Sequence, residues 1–283
     1  LHLQWQISWP WLTLGHTFAA RPSWIQWYSL TGVFGGAAWI WLVNVMIFNG
    51  FVKNDWNKKS LFKIGLIVLV PIVVSALMYV SYEEKGKKAE VVIVQPNYEP
   101  HYEKFEIPER EQIAKMVSLS ESTVTENTKY LLLPETVISG VKLNNVYRNR
   151  GIRTFIELAD KYPQLNLVTG ISSFRTYPKD SLFTLATRIH VNSRNDSTFW
   201  DVQNNAIWIA QGEIQEMYFK SKLVPGAEIF PYRQYLPFLK PIIDQLGGSV
   251  EGHARQKERE AFGPQGYKSA PVICYESVYG EYV

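Results

Sequence analysis

Three residues in this chain combine reactive side chains with strand-ending contexts. Cys274 is the only cysteine and lies in Pro271-Val272-Ile273-Cys274-Tyr275-Glu276-Ser277. A thiol is a strong nucleophile once deprotonated. The apolar run Ala270–Ile273 predicts a buried strand, which puts Cys274 at its carboxyl end, where open α/β sheets carry reactive groups. Glu135 follows Tyr130-Leu131-Leu132-Leu133-Pro134. Pro134 cannot continue a central ladder, so the carboxylate hangs off the strand end. Lys220 ends the alternating run Glu213–Phe219, and Pro225-Gly226 break the chain soon after. Each signal has a plainer reading by itself: a cysteine packed as a small hydrophobe, a solvated loop glutamate, a lysine guarding an edge strand.

Composition narrows the alternatives. Of 283 residues, 46% are apolar and 19% charged, and the formal net charge of +3 is too small to suggest nucleic acid. One cysteine excludes an internal disulfide and a cysteine-rich zinc site. The five histidines are scattered, with no pair at metal-ligand spacing, and there is no GxGxxG or Walker-type loop.

Two stretches predict membrane helices. Ser29 to Phe48 has no charge over 20 positions, enough to span a hydrocarbon core. Leu61 to Val80 is a second apolar run. Lys63 can snorkel, and Pro71 is tolerated as a kink. The loop between them carries Lys53, Lys58 and Lys59, which points it to the cytoplasm. Residues 1–28 are rich in tryptophan, as at a bilayer interface. From Ala89 the pattern becomes α/β. Strands are expected at Glu90–Gln95, Tyr130–Leu133, Asn166–Ser172, Ser181–Val191, Asn205–Gln211 and Glu213–Phe219. Helices are expected at Pro108–Thr128 and Ile152–Tyr162. Gln211-Gly212 reads as a hairpin turn. Tyr232–Leu246 reads as an apolar segment lining a pocket, dipping into a membrane surface, or packing as a core helix. The expected organisation is an interfacial loop (1–28), a transmembrane hairpin (29–48 and 61–80), a linker (81–88) and an α/β domain (89–283).

Taken together, Leu133-Pro134-Glu135, Tyr218-Phe219-Lys220-Ser221-Lys222-Leu223 and Cys274-Tyr275-Glu276 resemble the nitrilase (carbon–nitrogen hydrolase) superfamily, which uses a Glu-Lys-Cys triad. Because a membrane hairpin precedes them, the chain resembles the apolipoprotein N-acyltransferase family within it. Trp9-Pro10-Trp11-Leu12-Thr13-Leu14-Gly15 and Leu223-Val224-Pro225-Gly226-Ala227-Glu228 carry that likeness further. Gly226-Ala227 and Lys222 depart from the family pattern, and the region from Gly247 to Phe262 matches its glycine-serine loop poorly.

The resemblance implies an α-β-β-α sandwich, incomplete at its C-terminal end, behind a transmembrane helical hairpin. It implies Glu135, Lys220 and Cys274 as catalytic residues, with Glu228, Tyr275 and Glu276 supporting them. It implies a phospholipid acyl donor, a diacylglyceryl apolipoprotein acceptor, no metal or organic cofactor, and a catalytic domain on the periplasmic side of a bacterial inner membrane. On this reading the chain is an internal piece of a longer protein and is not active alone. A membrane-tethered amidase that passes its thioester to water remains an alternative, as does a degenerate domain that only binds lipoproteins.

Overall fold

A computed structural model describes residues 5–8, 10–53, 56–99, 103–232, 235, 238, 241, 252–280 and 282. The chain divides into two compact units, one built on residues 1–87 and the other on residues 88–277.

The first unit is helical. Helix α1 (Tyr28–Lys53) and helix α2 (Lys58–Ser81) extend beyond the two apolar stretches, so the connection between them is shorter than the sequence suggests. Both are long and apolar enough to cross a membrane. Their apolar side chains point outward, Trp41, Val45 and Phe48 on α1 and Leu69, Val73 and Leu77 on α2. A helix that is apolar all round and not buried in protein needs a lipid surround. Asn57 caps α2 by accepting from the Ser60 N–H at 2.8 Å. Pro71 lies inside α2 and has no N–H, so the carbonyl of Ile67 loses its helical donor. The indole Nε1 of Trp39 on α1 donates to that carbonyl at 2.8 Å, which ties the two helices together one turn before the proline.

The second unit is a mixed sheet. Its strands are β1 (Glu90–Ile93), β2 (Thr128–Leu132), β3 (Ile138–Lys142), β4 (Asn166–Tyr177), β5 (Arg188–Val191), β6 (Ser197–Ala210) and β7 (Glu213–Phe219). The order is β1-β2-β4-β6-β5, with β3 also paired to β4 and β7 also paired to β6. β1 pairs parallel with β2, and β2 and β3 pair parallel with β4, whereas β4, β5 and β7 all pair antiparallel with β6. β2 and β3 occupy successive lengths of one side of β4, and β7 and β5 successive lengths of one side of β6. The chain is therefore interrupted at residues 133–137 beside the middle of β4, and again where β7 ends beside the middle of β6. The predicted hairpin between β6 and β7 is present, with Gln211 and Gly212 both at positive φ.

Helices α3 (Glu103–Glu106), α4 (Glu109–Glu121) and α5 (Arg150–Asp160) precede or follow the parallel strands. Ile113 and Met116 of α4 and Ile152, Phe155 and Leu158 of α5 join Leu131, Leu167, Ile171, Ile207 and Ile209 in one core. These strand residues share a face by the period of two. On the opposite face Ala206 and Tyr218 pack with Phe262 and Ile273.

Several expectations need correction. Residues 178–187 are not strand: Thr184 and Thr187 close a turn there, and only Arg188–Val191 pair. The helix from Pro108 stops at Glu121, where the Ser122 and Thr123 hydroxyls bond the carbonyl of Leu119. β6 starts eight residues before the expected Asn205, and β3 was not foreseen. Ala270–Ile273 is not a strand, and the nearest pairing is a single bridge between Phe262 and Ser269. Most of Tyr232–Leu246, and the run from Gly247 to Ser249, lie outside the described residues.

Candidate active site

Glu135 and Lys220 arise at the two interruptions of the sheet. The β2 ladder persists just past its end, with Leu133 N–H donating to Val168 O at 2.9 Å and Gly170 N–H to Pro134 O at 3.1 Å. The chain then turns at Thr136, whose φ is 54°. Gly170 is required here. A Cβ on it would lie 2.6 Å from Glu135 Cα and 2.6 Å from Thr136 N, so only a residue without one lets the two backbones pass. On the other side, Lys220 N–H donates to Asn204 O at 2.9 Å, one step beyond β7. By the strand period Lys220 shares the face of Tyr218, and its side chain is 1% exposed. This excludes the reading of Lys220 as a surface lysine on an edge strand.

The two meet in a polar cluster. Lys220 Nζ lies 2.9 Å from Glu228 Oε1 and 3.9 Å from Glu135 Oε1. Asn204 Nδ2 donates to Glu135 Oε1 at 2.7 Å and to Glu228 Oε1 at 3.3 Å. The other Glu228 oxygen accepts from the Val224 N–H at 2.9 Å. One ammonium and one amide thus hold two carboxylates side by side. The Glu135 side chain remains 38% exposed. Asn204 is not among the residues the sequence singles out, because the expected strand begins at Asn205, eight residues after β6 starts. Its signal was available in the alternation Asn204, Ala206, Trp208, which places it on the face of Lys220.

Cys274 opens a 3-10 helix (Cys274–Val278) instead of ending a strand. Its φ is 48°, in the left-handed region that a residue with a Cβ seldom occupies. A strained, sharp turn of this kind exposes the nucleophile in α/β-hydrolases. The thiol is exposed. Among the described residues no hydrogen bond joins it to Glu135 or Lys220. The connection runs through Glu276 instead. Glu276 is fully buried. One of its oxygens accepts from Ser221 N at 2.7 Å, Ser221 Oγ at 2.8 Å, Lys222 N at 3.2 Å and Tyr218 OH at 2.5 Å. The other accepts from Ile273 N at 2.9 Å. The residue before Cys274 and the residue after Lys220 therefore donate to one carboxylate. Burial and that carboxylate push the Tyr218 hydroxyl pKa upward, which keeps it a donor. Tyr275 is buried beside them.

No family model matches the chain. It is similar over nearly its whole length to curated apolipoprotein N-acyltransferases. One from Chlorobaculum tepidum is 23% identical across 98% of this chain and 53% of its own length. One from Rickettsia typhi is 25% identical across 99% of this chain and 52% of its own, and one from Rickettsia prowazekii is 23% identical over the same shares. The chain spans about half the length of the curated relatives it matches. Among solved structures, a glutamine-dependent NAD+ synthetase from Acinetobacter baumannii aligns with 57% of this chain and 24% of its own at a TM-score of 0.30 and 9% identity.

Proposed function

We propose that this chain carries the catalytic part of an apolipoprotein N-acyltransferase, a membrane enzyme that moves an acyl chain from phospholipid to the N-terminal amine of a diacylglyceryl-cysteine lipoprotein. The observation that carries the reading is the convergence of Glu135, Lys220 and Glu228, with Glu276 tying the Cys274 turn to the segment that holds Lys220. Similarity to named acyltransferases over nearly the whole chain supports it.

In the first half-reaction Glu135 takes the thiol proton of Cys274, and the thiolate attacks the ester carbonyl of a phospholipid. Lys220 stabilises the oxyanion as it forms. The intermediate collapses with cleavage of the ester C–O bond. The lysophospholipid oxygen leaves with the proton that Glu135 had taken, and a thioester remains on Cys274. In the second half the lipoprotein amine attacks the thioester carbonyl and Glu135 takes its proton. Collapse breaks the C–S bond, and the proton returns to the thiol. Glu228 holds Lys220 at the site, and Glu276 and Tyr275 support the nucleophile turn. This chemistry calls for no metal or organic cofactor.

The full-length enzyme, incubated with phospholipid and no acceptor, should gain the mass of one acyl chain. Hydroxylamine should remove it, because a thioester yields to hydroxylamine faster than an oxygen ester. A diacylglyceryl peptide should then take it up. An adduct that resists hydroxylamine, or one that passes only to water, would overturn the assignment, and the second result would favour the amidase alternative.

The same reading places α1 and α2 across a bacterial inner membrane with their connecting loop in the cytoplasm and the sheet in the periplasm. In a Cys274→Ala background, a cysteine introduced as Asn54→Cys should resist an impermeant maleimide added outside the inner membrane and react once that membrane is opened. Labelling from outside would reverse the orientation.

A further inference from the structure

His253 belongs to none of the motifs, yet the fold holds it against the polar cluster. Its backbone N–H donates to Glu228 O at 2.7 Å. The next residue, Ala254, donates to Val202 O of β6 at 2.8 Å. The main chain therefore fixes the ring beside Glu228. Its Nδ1 lies 3.9 Å from Glu228 Oε1, the oxygen already used by Lys220 Nζ and Asn204 Nδ2. That Nδ1 is buried and has no hydrogen-bond partner among the described residues. The charged groups facing the ring are Glu228, which favours a proton on it, and Arg188 and Lys220, which oppose one. Arg188 comes from β5, with its Nη2 3.5 Å from Gly252 O.

Lys220 and Asn204 already donate to Glu228 Oε1, and Lys220 Nζ is its nearest cation at 2.9 Å. A proton on the His253 ring puts a second cation beside the same oxygen, where it repels the first and competes with it. We propose that His253 is a positioning residue for Lys220: as a neutral imidazole it leaves the Glu228 oxygen to the ammonium, and on gaining a proton it competes for that oxygen and draws Lys220 out of place. The proposal deepens the reading above, taking Lys220 as the oxyanion donor. Burial is the largest influence on the ring and holds its pKa below the ordinary histidine value, with Glu228 acting in the opposite direction. The ring is then neutral near pH 7 and takes up its proton only on acidification, so the acylation rate falls as pH falls through that value.

The test follows thioester formation on Cys274 by intact mass, using the full-length enzyme in phospholipid nanodiscs between pH 5 and pH 8. Below the inflection the wild-type rate should fall by about tenfold per pH unit. In His253→Asn the acid limb should move to lower pH. The ratio of the rate at pH 5.5 to the rate at pH 7.5 should rise at least about threefold over wild type. Superimposable normalised profiles would sink the proposal, as would a folded His253→Asn enzyme that is inactive at every pH. Should that variant fail to fold, ring-labelled histidine spectra of the wild-type and Glu228→Gln enzymes decide. The His253 ring should titrate below the ordinary value in the first and lower still in the second. An unchanged titration in Glu228→Gln would overturn the pairing. Acylation of Cys274→Ala, by contrast, would overturn the triad reading itself.

Discussion

Cys274→Ala is expected to abolish acylation of the full-length enzyme, and Lys220→Ala to slow it by about two to three orders of magnitude, the usual cost of losing an oxyanion donor. The two effects differ in kind. Without the thiol no covalent intermediate forms. Without the ammonium the thiolate still attacks, but the developing charge lacks its nearest cation. Lys220→Ala also leaves Glu228, whose side chain is 13% exposed, without its closest counter-charge, so part of the loss comes from a displaced carboxylate. Lys220→Arg separates the two contributions. It restores a charge partner for Glu228, but the planar guanidinium cannot place its donors where an ammonium would. Recovery of less than about a tenth of the wild-type rate would assign most of the effect to the oxyanion. The readout is the initial rate of thioester formation, followed by intact mass. A Lys220→Ala enzyme within about threefold of wild type would remove Lys220 from the mechanism.

How far these residues can be read from sequence depends on which physical signal marks each. β7 is legible to the residue because it alternates, and the β6–β7 turn because Gly212 suits the positive φ it adopts there. The first half of β6 is not legible. Asp201, Gln203 and Asn205 are buried on one face, where a strand normally shows apolar residues, and Ser173 Oγ and Tyr177 OH from β4 bond to Asn205 and Asp201. A buried polar face breaks the hydropathy pattern that strand recognition uses. That break hid Asn204, the amide that links Glu135 to Glu228. The run before Cys274 failed in the opposite sense. Its apolar residues are those of a strand, but Val272 and Ile273 pair with no ladder, and the buried side chain of Ile273 packs against Tyr218. Apolar content reported burial there, and local sequence does not distinguish burial in a sheet from burial on one. His253 carries no local signal at all, because its partner is 25 positions away and only the fold brings them together.

Glu276 carries the largest expected effect on stability. It is fully buried, and its five hydrogen-bond partners among the described residues are all donors: the Ser221, Lys222 and Ile273 N–H groups and the hydroxyls of Tyr218 and Ser221. A carboxylate accepts only, so it satisfies this set without conflict. Glu276→Ala leaves those donors in a dry site. The expected loss is on the order of 3–5 kcal/mol, as for breaking a buried charged network. For a unit of this size that is an apparent melting shift of about 6–20 °C. Glu276→Gln is the sharper test. It keeps the volume and one acceptor oxygen, but turns an NH2 group toward donors that cannot receive it. It should therefore recover less than half of the loss. Thermal unfolding of the two purified full-length variants in detergent, followed by tryptophan fluorescence, measures both. If Glu276→Gln melts with the wild type, the network does not hold the nucleophile turn to the Lys220 segment, and the route proposed for bringing Cys274 to Glu135 and Lys220 fails with it.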